Sequence, residues 1–203
     1  MQDAIPTYRP PHHILATRSK LTFATADTVS LDSIIQRLKR LNEIIAMEVL
    51  VRDLWSDVLF PLFHIFPILH DCLSMARGSL HGGVEIREKE CYRLAAILYL
   101  CNMRAKFDFE SGAGMLYGSK LYLMIGGLER SKILIWILTV AACSPSLFKD
   151  LRAQFVTLLS EAVKSAGIGN FREFSALISG LIWCDAALGE ELRDLQGQIG
   201  LSG

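Results

Sequence analysis

Histidines, thiols, carboxylates and glycines carry out chemistry only at particular spacings, and few spacings in this chain qualify. His64 and His70 stand six residues apart. At about 100° per residue, that puts them roughly 120° apart on a straight helix, too far round to share a metal. The five cysteines, Cys72, Cys91, Cys101, Cys143 and Cys184, are odd in number and widely spaced, with no C-x-x-C pair. They read as free thiols buried in a reducing compartment rather than as disulfides or zinc ligands. Gly112, Gly114 and Gly118 form G-x-G-x-x-x-G, which is not the spacing of a phosphate loop, and no strand precedes it. An interhelical loop is the plainer reading.

Other candidates meet the same fate. Ser79, in the run GSLHGG, lacks the G-x-S-x-G elbow that exposes a nucleophile, so a solvated turn is expected there. Glu85, Glu88 and Glu90 are interleaved with Arg87 and Lys89, which reads as a charged helix start favoured by the dipole. Asp185, near the end of an apolar segment, is assigned a structural role against Arg193 or solvent. A helical-fold enzyme, such as those of isoprenoid chemistry, requires acidic metal motifs on facing helices. Glu110 alone and Glu190-Glu191 do not supply them. No catalytic, cofactor-binding or metal-ligating residue is assigned, no cofactor is expected, and the chain is not expected to be an enzyme. If a ligand or interaction pocket exists, Trp55, Trp136 and Trp183 are its wall candidates, because bundle pockets are lined by aromatic and apolar side chains.

The elements that would position these residues are helical. Hydrophobic residues make up 51% of the 203, which leans apolar for a soluble domain and suits helices facing one core. Leu31, Ile34, Ile35, Leu38, Leu41, Ile45 and Val49 recur at helical spacing after Ser30. Leu54 to Met75 is almost wholly apolar, and Pro61 and Pro67 predict short, deeply packed helices with a break or kink. Residues 78–83 are a glycine-punctuated loop. A long helix is expected from about Ile86 to Phe107, a break at residues 111–114, and a short helix from Met115 to Ile125.

Arg130 to Cys143 is a further apolar helix. Ser144-Pro145 then reads as N-cap and first helical residue of the next. Asn170 with Glu173 forms a capping box for a helix expected to run to Leu188 and stop at Gly189. No segment alternates as a strand. The expected class is therefore all-α, an irregular multi-helix bundle of about six to nine helices. Residues 1–27 read as an irregular leader, 28–197 as the helical domain and 198–203 as a flexible tail. Trp136, Phe155, Phe174 and Trp183 are expected in the core.

Charge narrows the function classes. The 21 basic and 21 acidic residues cancel, whereas nucleic-acid binders draw most of their affinity from neutralising phosphates. The first 20 residues show no apolar signal-peptide core, and no 18-residue apolar window suits a membrane.

A set of packing residues supplies a resemblance. They are Ile135-Trp136, the turn AACSPS, Leu151-Arg152, Phe155, Asn170, Phe171, Leu181 and the block Ile182-Trp183-Cys184-Asp185. From about Leu128 to Leu195 the chain resembles the carboxyl-terminal part of the fungal-specific transcription factor regulatory domain. That helical region lies downstream of a zinc binuclear-cluster DNA-binding domain. Residues 1–60 contain no cysteine, so no zinc ligand carries over. The chain is expected to be intracellular; the resemblance implies a regulatory domain of nuclear location, and the cytoplasm is the alternative. That domain would modulate transcription through a protein partner or a small ligand without binding DNA itself. A general helical scaffold or adaptor is the alternative.

Overall fold

The computed structural model describes residues 30–78, 81, 83–109, 112–129 and 131–202. The expected leader, residues 1–27, lies outside them, as does Ser79. Within them the protein is an all-α multi-helix bundle of eight α-helices. One of these is preceded by a π-helical turn, and the described residues form no sheet.

Helix α1, Leu31–Glu48, opens where Ser30 Oγ accepts the Ser33 N–H at 3.2 Å, a side-chain N-cap. Its stripe Ile34, Leu38, Leu41 and Ile45 is buried, as the spacing predicts. The proline-containing segment forms short helical pieces, as expected, with an irregular turn in place of a clean break. Instead of a break, a π-helical turn, Pro61–Ile65, runs directly into α2, Phe66–Ser74. Pro67 has no N–H to offer the ladder, and the Phe66 N–H bonds five residues back to the Pro61 carbonyl. Nor is the segment deeply packed throughout. Pro61, Ile65, Ile68 and Cys72 are buried, but Leu59, Leu62 and Phe63 are exposed.

Helix α3, Val84–Ala105, is the central post and packs against α2, α4, α5 and α8. Every residue from Glu90 to Leu100 is buried, so the helix has no wet face over three turns. Helix α4, Ala113–Met124, starts within the expected break. Gly114 and Gly118 belong to this helix rather than to a loop. A Cβ on Gly114 would collide with Ser146 Oγ, and one on Gly118 with the Leu147 side chain. These glycines let α4 lie against the 144–147 turn.

Helix α5, Lys132–Ala142, is capped by Ser131, whose Oγ accepts the Leu134 N–H at 3.1 Å. Helix α6, Lys149–Ser165, begins four residues beyond the expected Ser144-Pro145 start. Ser144 is not its cap, because its hydroxyl donates at 2.8 Å to Asn102 Oδ1 in the core. Arg152 instead closes α5, its Nε donating to the Ala142 carbonyl at 2.7 Å.

Helix α7, Phe171–Ser179, has the expected cap. Asn170 Oδ1 accepts the Glu173 N–H at 2.9 Å, and Glu173 Oε2 reaches back to the Gly169 N–H at 3.1 Å. It ends nine residues short of Leu188. Residues 181–184 leave the helical path because Trp136 Nε1 donates to the Ile182 carbonyl at 2.6 Å, a bond that holds this stretch against α5. The chain restarts as α8, Asp185–Ile199, with Gly189 inside it rather than ending it. Asp185 thus opens a helix instead of lying near the end of one. Part of the expected tail is tied down as well. Ile199 is buried and the Phe171 N–H donates to the Ser202 carbonyl at 2.9 Å.

Candidate functional site

The three tryptophans do not line one pocket. Trp136 and Trp183 are buried on either side of Tyr99, whose ring centroid lies 6.2 Å from one and 6.0 Å from the other. Trp136 also stacks on Tyr92 at 4.9 Å, and the two rings help line a surface groove of about 190 Å³ with Ile35, Lys39, Ile133 and Leu181. Trp55 belongs elsewhere. It meets Phe107 edge-on at 5.1 Å, and Phe107 stacks on Phe60. Phe155 and Phe174 are fully buried with Trp136, as the apolar stripes predict.

The residues considered for chemistry are placed apart. His64 packs its ring on Phe60 at 4.5 Å, while the exposed His70 sits 3.7 Å from Asp71 Oδ1. Among the described residues no group of three or more His, Cys, Asp or Glu converges as a metal site. Burial pushes the Cys72 and Cys91 thiols up to about 12, so both are protonated at neutral pH and poor nucleophiles.

One charged cluster escaped the sequence reading. Glu90 lies on α3 at 2% exposure and is not part of a solvated helix start. Its carboxylate accepts Arg93 Nε at 2.7 Å and Nη2 at 2.8 Å, Lys120 Nζ from α4 at 2.5 Å, and the Gly78 N–H at 3.2 Å. Arg93 Nη1 reaches the Cys72 carbonyl of α2 at 2.9 Å. Burial alone would raise the Glu90 carboxyl, but these donors outweigh it and hold the group at about 2. The cluster ties α2, the following loop, α3 and α4 together, and with every Glu90 oxygen engaged it is a clasp. Its only signal in the sequence was the i, i+3 spacing of Glu90 and Arg93 at the point where the charged helix start gives way to the apolar run from Leu94 to Leu100.

The second missed feature is exposed apolar surface. Met47, Leu50, Val51, Val58, Leu59, Leu62 and Phe63 are all large hydrophobics in the open, Phe63 at 71% exposure and Leu50 at 83%. Phe63 borders a groove of about 300 Å³ between α1 and the π-helical turn, lined also by Arg37, Arg40, Leu41, Ile44, His64 and Ile68. Single exposed hydrophobics are ordinary, but seven within seventeen residues is a density that suits covering by another molecule. Irregular apolar sequence with two prolines gives no period from which such exposure could be read.

No known protein family, curated protein sequence or solved structure matches this chain. Among the described residues no helix is long and apolar enough to cross a membrane.

Proposed function

We propose that the chain is a regulatory interaction module, acting through contacts with a protein partner, and that it is neither an enzyme nor a direct DNA binder. The observation that carries this is the run of exposed large hydrophobics from Met47 to Phe63 beside a basic groove on α1. Partner surfaces of this kind bury aromatic and aliphatic anchors. A protein partner is favoured over a small ligand because the exposed hydrophobics extend from Met47 to Phe63, beyond the groove of about 300 Å³ at Phe63 that a small molecule could fill. The resemblance to the fungal-specific transcription factor regulatory domain supports transcription as the process regulated and the nucleus as its place. A general scaffold would use the same surface outside the nucleus. Imaging the tagged chain, with expression profiling after its deletion, separates the two. Nuclear accumulation with changed transcript levels is expected. A wholly extranuclear protein whose loss leaves transcripts unchanged defeats the transcriptional reading.

A further inference from the structure

We draw no further inference here: the strongest candidate, the groove between α1 and the π-helical turn with the exposed hydrophobics from Met47 to Phe63 around it, is an apolar face of the interaction surface already described, and nothing in the structure shows what covers it.

Discussion

Replacing Glu90 by Gln removes one charge from the most enclosed ionic cluster of the fold, and its cost can be worked from the geometry. At neutral pH the carboxylate balances Arg93, which is itself 3% exposed and cannot reach water without disturbing α2 and α3. Breaking a buried pair in this way costs about 3–5 kcal/mol. Lys120 lowers the figure, because its side chain is 37% exposed and can turn to solvent. A loss of about 3 kcal/mol is expected. The same contacts give the cost a pH dependence. The folded carboxyl sits at about 2 against an ordinary 4.5, so its contribution is complete above about 4.5 and is lost as the pH falls toward 2. Urea unfolding of both proteins at about pH 7 and about pH 3 should show a wide gap that narrows in acid. A gap below about 1 kcal/mol at neutral pH, or one independent of pH, would refute the buried clasp.

Phe174→Ala should cost about 3–5 kcal/mol in chemical denaturation, because the ring is fully buried against the core. Gly118→Ala should destabilise by about 1–3 kcal/mol, since the new methyl would press on Leu147, whereas Gly169→Ala, with open space around it, should cost less; thermal melts rank the two. The purified chain should give no sequence-selective shift of duplex DNA in mobility-shift titrations at physiological salt. Affinity of about 10⁻⁸ M or tighter would contradict that.

Much of the fold could be read from the residues because helical periodicity reports burial directly. The α1 stripe and the buried Phe155 and Phe174 follow from it, and the Asn170 cap from its spacing to Glu173. The failures have local causes. Ser144 has the composition of an N-cap, but a tertiary bond to Asn102 claims its hydroxyl. Gly189 looks like a stop, but the helix that would have ended there had already ended at Ser179, and Arg193 now lies across the bare glycine. The candidate site was less legible still. Trp55, Trp136 and Trp183 are grouped by residue type, yet the fold sends Trp55 to the Phe60–Phe107 stack. The exposed hydrophobics between residues 47 and 63 share the composition of a core segment. Only the packing of the other helices decides which apolar side chains are left outside.

The central claim is that this protein works by presenting the Met47–Phe63 surface to a partner. The most direct measurement isolates the tagged wild-type chain and a Leu59→Ser/Phe63→Ser variant side by side and quantifies the proteins that accompany each. Both positions are exposed, so both chains should melt alike. At least one partner should be bound in near-stoichiometric amount by the wild type and lost from the equally stable variant. A chain that is isolated alone, or an identical set of partners on both, would contradict it.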